Sequence, residues 1–304
     1  MRLTIIKVVV TFAVALSTLN LLSGCATVAQ VGSQVGVAAG VLTPEQGESL
    51  TSAFKGFTPE NEYYLGRAVG ATILGKYKTY DQEAASDYVR LLGQACAQAS
   101  DMPVTFHGYT FQILDSDEIN AFATPGGFIF ISRGMLKLCQ SEDEVAAVLA
   151  HEVGHVQLKH GVNAISKGRT MEAGRILVSV GVNQFGSAQL VSDLDTLNKL
   201  TEVFGGSIGD IVTSLTLKGY SRDQEYQADQ VAMTILGRLG YDQKALLRVL
   251  EHMEPMVHQG GPGFGSTHPP PADRLKAATK LAVEQPKPAP AKRATRFASA
   301  MKGI

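Results

Sequence analysis

The sequence lacks a charge excess of either sign, and this limits the partners that we expect. Its 304 residues carry 27 lysines and arginines against 28 aspartates and glutamates, so the formal net charge is −1. A nucleic-acid-binding surface normally requires a basic excess. We therefore expect no nucleic-acid partner.

Long apolar runs and internal repeats are also missing. Residues 163–218 are rich in apolar side chains, but they contain no uninterrupted run of about 18, the length that indicates a membrane span. We interpret this stretch as packed helices. The absence of repeats argues against a solenoid architecture.

Cysteine is scarce, with three in the whole chain: Cys25, Cys96 and Cys139. Cys96 and Cys139 lie in the predicted folded domain, and in an oxidising compartment they could pair. The sequence does not show whether their Cα atoms approach each other. A disulfide and two independent buried thiols are both open.

Residues 1–24 have the pattern of a signal peptide. Arg2 and Lys7 precede an apolar stretch that is too short, and too often interrupted by polar residues, for a good membrane span. It ends in LSGC, which resembles the lipobox of bacterial lipoproteins. That resemblance implies lipidation of Cys25, with a plain secretory signal as the alternative. Ala26, in place of an aspartate, favours the periplasmic face of the outer membrane.

The remainder divides into three parts by composition. Residues 25–58 are a lipid-anchored tether with a short helix, 59–283 are the folded domain, and 284–304 are a Pro- and Lys-rich tail that we expect to be disordered. Periodicity and capping residues indicate a mostly α-helical α+β domain with a small β-sheet. The predicted helices span 59–77, 81–100, 141–160, 222–238 and 242–254, and the predicted paired strands span 109–115 and 127–132.

The segment LAHEVGHVQ carries two histidines four residues apart. On a helix, His151 and His155 lie on one face, where both imidazoles can reach one metal ion, and Glu152 lies beside them as a candidate base. Because buried ionisable groups are costly without partners, a metal is favoured over an ordinary pair of core histidines.

A third ligand has to come from elsewhere in the chain. If the helix continues to His160, that side chain faces away from the first two histidines. In SRDQEYQAD, Glu225 and Asp229 share one helical face and are the best candidates. Spacing and composition alone leave Glu172 and Glu202 as competitors.

Several motifs together resemble one family over residues 59–283. EYYLGR, NAFATPGG, AAVLAHEVGHVQLKHG, SRDQEYQAD and THPPPADR occur in this order in the HtpX-like and β-barrel assembly-enhancing zinc metallopeptidases, which are gluzincins related to the CAAX prenyl endopeptidases. The resemblance implies one zinc ion per chain, with Glu225 as its third ligand. It also implies that Asp229 is a second active-site acid, whereas on physical grounds Asp229 is as well suited to orient a ligand histidine.

The resemblance implies peptide hydrolysis. Three protein ligands leave the fourth zinc position to water, with Glu152 as the base that takes its proton. An extended substrate would add as a strand beside the NAFATPGG segment, in which Pro125 and the following glycines shape a turn. The expected substrate-facing residues are Asn120, Ala121, Phe122, Ala123 and Thr124.

A further histidine, His268, lies in STHPPPADR after a Gly-rich loop. Stiff prolines beside a flexible hinge suit a side chain that swings towards an open metal position. We expect it to act either as a fourth zinc ligand that excludes water or as a donor to the oxyanion. A surface-loop histidine is the alternative.

The predicted function is that of a zinc metalloendopeptidase in envelope protein quality control. Its substrates would be misfolded or stalled envelope proteins, and its membrane attachment would be the lipid at Cys25. A zinc-containing periplasmic chaperone or assembly factor is the main alternative, although such a protein has no need of Glu152 beside its metal.

Overall fold

The structure is a computed structural model that describes residues 58–165, 205–215, 219–257, 271–282 and 290–304. The chain divides into two units, and one of them, Thr58–Ile165 with Ile208–Ile304, contains nearly all the described residues. This unit is mostly helical with one small sheet. The predicted α+β class is therefore confirmed.

Two helices open the described chain. Helix α1 (Pro59–Lys76) begins after Thr58, whose side chain accepts a hydrogen bond from the Asn61 N–H, with Pro59 in the first turn. The missing N–H of proline costs nothing at that position. Helix α2 (Glu83–Gln98) buries one face in the core. Both predicted helices are confirmed, with slightly shorter bounds.

The sheet has three strands in the order β1-β3-β2. Strands β1 (Thr110–Leu114) and β3 (Phe128–Ser132) pair in parallel, which confirms the predicted pairing. Strand β2 (Ala121–Thr124) was not predicted as a strand of its own, and it pairs antiparallel with β3. It therefore forms one edge of the sheet.

A three-residue turn, Pro125–Gly127, joins β2 to β3. Gly126 has φ of 74°, a conformation that favours glycine, and a Cβ there would lie 2.7 Å from Cα of Tyr63. A Cβ on Gly66 of α1 would lie only 1.7 Å from the Pro125 carbonyl oxygen. Backbone packs directly on backbone here, so α1 fixes the end of the edge strand.

The central helix, α4 (Glu142–Gln157), follows the short helix α3 (Arg133–Leu138). Ser141 caps α4 by accepting from the Glu144 N–H at 3.3 Å. The Glu144 carboxylate accepts from the Gln140 N–H at 2.7 Å, and not from the N–H of Ser141 as a standard capping box requires. Almost every side chain of α4 is buried, so the helix is enclosed by its neighbours.

Further helices follow α4 in the chain. They are the short α5 (His160–Asn163), α6 (205–213), α7 (Arg222–Leu239), α8 (Lys244–Val257) and α9 (Pro271–Thr279). Among them, α7 and α8 pack along α4. Helix α7 crosses α4 at Gly154, where a Cβ would lie 3.1 Å from the Ala228 carbonyl oxygen. The absence of a side chain at Gly154 thus lets the two backbones approach closely.

Residues 290–304, the described part of the tail, contain a helix although disorder was predicted over much of the tail. Residues Ala291–Ala300 form helix α10, and Arg296 pairs with Glu142 while Arg293 contacts Asp143 at 3.2 Å. Tyr80 also donates a hydrogen bond to the Gly303 carbonyl oxygen at 2.6 Å. The helix was not predicted because these contacts are made with distant parts of the chain, which composition does not register.

Several sequence-based predictions lie outside the described residues. These are the signal peptide 1–24, Cys25, most of the tether, His268, and the competing ligands Glu172 and Glu202. Cys96 and Cys139 are described, and both are buried free thiols. Within the described ranges, no helix combines the length and the apolar character that crossing a membrane requires.

The acidic start of α4 yields a stability prediction. Arg293 is mostly buried, stacks over the Tyr241 ring at 3.9 Å, and pairs with the buried Asp143. Arg293→Ala should lower the free energy of unfolding by about 1–3 kcal/mol, because it leaves a buried carboxylate without its guanidinium.

Denaturant unfolding measures this effect. Lys292→Ala, an exposed change in the same helix, is the matched control and should shift stability by less than about 0.5 kcal/mol. Equal unfolding midpoints for the two variants would show that α10 does not hold the start of α4.

Candidate metal centre

Two crossing helices bring the predicted site residues together. Helix α4 carries His151, Glu152 and His155, and α7 carries Glu225 and Asp229. The side chains are all buried, with at most 2% of each residue exposed. The spacing of four on each helix places each pair one turn apart, facing the other helix.

Three of these side chains converge on one point. Nε2 of His151 lies 3.0 Å from Nε2 of His155. Each nitrogen lies 3.5 Å from a different carboxylate oxygen of Glu225, His151 from Oε2 and His155 from Oε1. A tetrahedral ion with bonds of about 2.0–2.1 Å separates its ligand atoms by about 3.3 Å. The donor set therefore fits a tetrahedral metal ion, and these three residues form a metal-sized group.

The charges of the site also call for a cation. Glu152, Glu225 and Asp229 are three buried carboxylates, and Arg274 is the buried guanidinium that faces them. One positive charge leaves an excess of two negative charges when all three acids are ionised. A divalent ion balances this excess, and buried charges require such balance.

The pKa values reflect the same excess. Burial raises the pKa of Glu152 to about 7, with Glu225 adding to the rise and His151 and Arg274 opposing it. Burial and Arg274 act to lower the pKa of His151, but the carboxylates of Asp229 and Glu225 outweigh them and raise it to about 9. A metal ion competes for the same lone pair, so metal binding displaces the His151 proton.

Glu152 stands apart from the ligand group. Its Oε1 is buried and has no hydrogen-bond partner among the described residues. Glu152 is not a member of the metal-sized group, which comprises His151, His155 and Glu225. An unpartnered, desolvated carboxylate with a raised pKa is suited to accept and return a proton.

Asp229 holds the first histidine. Its Oδ1 lies 2.9 Å from Nδ1 of His151, so a His151 that donates from Nδ1 keeps the Nε2 lone pair free for a metal. This geometry is that of a carboxylate that orients a ligand histidine. Burial acts to raise the pKa of Asp229. Arg274 and His151 outweigh this effect and bring the pKa below its usual range.

Arg274 is the residue that the sequence-based search missed. Its Nε and Nη2 donate to the two oxygens of Asp229 at 2.9 and 2.5 Å, and its Nη1 lies 3.1 Å from Glu225. It is the last residue of the THPPPADR motif, which pointed to His268 instead. A buried arginine is rare without carboxylate partners, but no local pattern around Arg274 indicates that it is buried.

His160 also differs from the prediction. Helix α4 ends at Gln157, and Lys159 has φ of 56°, which turns the chain back on itself. As a result, Nδ1 of His160 lies 2.9 Å from Nδ1 of His155. His160 is not among the ligand group, but it contacts the site and does not face away from it.

Tyr220 covers the other side of His155. The two rings stack with centroids 4.2 Å apart and an interplanar angle of 19°. Burial raises the pKa of the Tyr220 hydroxyl well above its usual value, and the carboxylates of Glu152 and Glu225 add to the rise. Tyr220 is therefore a neutral wall of the site.

The edge strand β2 runs past Glu152. The Ser132 N–H donates to the Asn120 carbonyl, and bonded pairs alternate along an antiparallel ladder. The backbone groups of Phe122 therefore point towards β3, and those of Ala121 and Ala123 point away from it. The Ala121 N–H is already occupied by the side-chain oxygen of Asn120 at 2.9 Å.

A small cavity separates β2 from the site. It has a volume of about 10 Å³, and its walls are Ala121, Phe122, Ala123, Glu152, Ser214, Leu215 and Tyr220. Asn120 and Thr124, the other two expected substrate-facing residues, are not among its walls. Thr124 instead donates from its hydroxyl to the Gly66 carbonyl oxygen at 3.2 Å.

Comparison with known proteins gives several relatives. A β-barrel assembly-enhancing protease of Escherichia coli (strain K12) is 25% identical over 266 residues, which are 84% of this chain and 50% of that protein. One from Yersinia pestis is 28% identical over 67% of this chain and 40% of that protein. A mitochondrial metalloendopeptidase of Schizosaccharomyces pombe is 29% identical over 52% of this chain and 42% of that protein. The chain spans half or less of the length of these relatives.

A separate comparison, with whole protein families, identifies the family of this chain. Residues 83–282, about two thirds of the chain, match peptidase family M48. This range contains the central helix, the edge strand, α7 and Arg274, and thus every described side chain of the metal-sized group. The resemblance inferred from the motifs is confirmed: this chain carries the domain of peptidase family M48, and it belongs to that family.

Proposed function

We propose that this chain is a zinc-dependent endopeptidase that cleaves misfolded or stalled proteins of the cell envelope. One observation carries the proposal. His151, His155 and Glu225 converge within metal-binding distance, and the unpartnered carboxylate of Glu152 is buried beside them. A structural metal site needs the first feature and has no use for the second.

Zinc is the metal that suits this donor set. Two imidazoles and one carboxylate in tetrahedral geometry, with one position left over, are typical of catalytic zinc. His151, His155 and Glu225 would hold such an ion, which would supply Lewis-acid polarisation of a peptide carbonyl and a water of pKa about 7.

The protein side chains then carry the protons. Glu152 accepts the proton of the attacking water and returns it to the leaving amine. Asp229 keeps His151 in the tautomer that binds through Nε2, with Arg274 fixing the Asp229 carboxylate by two hydrogen bonds. Asp229 thereby acts as a positioning residue and not as a proton donor.

The edge strand supports an extended polypeptide as substrate. Ala121 and Ala123 direct backbone groups away from β3, where a substrate strand can form main-chain hydrogen bonds that are independent of its sequence. Such recognition suits unfolded chains. The relatives named for β-barrel assembly support envelope proteins as the substrate class, and a lipid at Cys25 would place the domain at the periplasmic face of the outer membrane.

The alternative is a zinc-containing chaperone or assembly factor with little proteolysis. It would use the same edge strand to hold unfolded chains. Glu152 argues against it, because burying an ionisable carboxylate costs stability and binding alone gains nothing from it.

The role of Glu152 gives a direct test of catalysis. Glu152→Gln should retain one zinc ion per chain and lose casein cleavage by about 10²–10⁴-fold, because the amide cannot accept the proton. Metal content is measured by mass spectrometry and cleavage by peptide release. Glu251→Gln, an exposed change of the same kind on α8, should behave as wild type. Undiminished cleavage by Glu152→Gln would favour the chaperone.

The role of Asp229 separates positioning from proton donation. Asp229→Asn should weaken zinc binding by about 10–100-fold, the range expected when the partner of a ligand histidine is changed. Glu225→Ala should remove tight binding altogether. A proton donor predicts the opposite for Asp229→Asn: unchanged zinc affinity with a lower turnover number. Competition with a chelator of known affinity measures the constants.

Strand addition predicts a period of two in the substrate. N-methylation of a cleaved peptide removes one N–H at a time, and successive N–H groups of a strand point in opposite directions. Methylation at alternate residues near the cleaved bond should abolish cleavage, and methylation at the residues between them should be tolerated far better. Peptide recognition by side chains alone would produce no such alternation in a cleavage series.

A further inference from the structure

The second nitrogen of each metal-facing histidine has a different kind of partner. Nδ1 of His151 lies 2.9 Å from the carboxylate of Asp229. Nδ1 of His155 lies 2.9 Å from Nδ1 of His160. The partner of His155 is thus the imidazole of His160, whereas the partner of His151 is a carboxylate. Unlike a carboxylate, a neutral imidazole has two tautomers, and only one of them can accept a hydrogen bond at Nδ1.

The hydrogen bonds of His160 determine which tautomer it adopts. If His155 binds a metal through Nε2, its proton is on Nδ1 and it must donate to His160. His160 can accept at Nδ1 only if its own proton is on Nε2. Nε2 of His160 lies 3.3 Å from Oε1 of Gln227, an acceptor that favours this arrangement.

The backbone around His160 is held firmly in place. Lys159, in its left-handed conformation, pairs with the buried Glu62 at 2.6 Å. Gly161 packs against Pro125, since a Cβ there would lie 3.1 Å from Cδ of that proline. The chain reversal after α4 is therefore anchored to both α1 and the turn that ends the edge strand.

The ring of His155 is enclosed from two sides. Tyr220 stacks on one face, and the His160 ring meets it edge-on with centroids 5.0 Å apart. Tyr220 offers no hydrogen bond to Nδ1 of His155 in this arrangement, because stacked rings contact through their faces. The polar contact at Nδ1 of His155 comes instead from His160.

We propose that His160 is a positioning residue that fixes the tautomer and orientation of His155 for metal binding, and that Gln227 in turn fixes the tautomer of His160. The relay runs from Gln227 on α7 through His160 to His155 on α4. It rests on the proposed function to the extent that His155 is a metal ligand. It requires no change of charge at any of the three residues.

The affinity for zinc tests the relay, measured on the full chain by chelator competition. His160→Phe keeps a ring between Tyr220 and α7 but removes the acceptor, and it should weaken zinc binding by about 10–100-fold. His160→Asn places an amide oxygen near the position of Nδ1 and should restore most of that loss. Gln227→Leu should cause a smaller loss, below about tenfold, because its bond to His160 is long and partly exposed.

The matched control is His107→Phe, the same change at an exposed histidine in the loop before β1, which should leave the affinity unchanged. Equal affinities for wild type and His160→Phe overturn the relay. An equally weak His160→Asn also overturns it, because packing and not the acceptor would then be responsible. A wild type that binds no zinc overturns the metal site itself, which is a distinct result.

Nitrogen-15 NMR of the zinc-loaded wild type decides the matter even if a variant fails to fold. The relay predicts a proton on Nδ1 of His155, zinc on its Nε2, and a proton on Nε2 of His160. A proton on Nδ1 of His160 in that spectrum would falsify the relay, since two donors cannot share one hydrogen bond.

Discussion

The crossing of α4 and α7 at backbone distance is the constraint on which the site depends. At the crossing, Gly154 lies against Ala228, and each helix places two site residues one turn apart on either side of this contact. A larger residue at Gly154 would push the helices apart and separate the histidines from Glu225 together. Metal geometry is therefore set by helix packing, and the packing is set by a missing side chain.

Charge balance is the second organising feature. The three buried carboxylates of the site are balanced by one arginine and one divalent cation, so a further buried charge would be uncompensated. The partner of His155 illustrates the limit. A carboxylate at position 160 would orient the ring as well as Asp229 orients His151, but it would add an anion with no cation to meet it. A neutral histidine supplies the hydrogen bond without disturbing the balance.

Local patterns predicted much of this structure, and their failures have a common cause. The spacing of His151 and His155 located the central helix, because periodicity is a local property. The choice of Glu225 over Glu172 and Glu202 required the family resemblance. His160 was misplaced because one left-handed residue ended the helix early. Arg274 and the helix 291–300 were missed because distant contacts, which no local pattern contains, determine their environment.

The small cavity beside β2 has a consequence for how the proposed substrates would be chosen. A space of about 10 Å³ barely holds one water molecule, so it leaves no room for an incoming strand between β2 and the wall that contains Leu215 and Tyr220. A polypeptide must displace this wall while its own backbone is unpaired. Folded proteins present unpaired backbone only briefly, whereas a stalled chain presents it persistently. If substrates bind at this edge as proposed, the lifetime of the exposed segment, and not its amino-acid sequence, would determine which chains are cleaved.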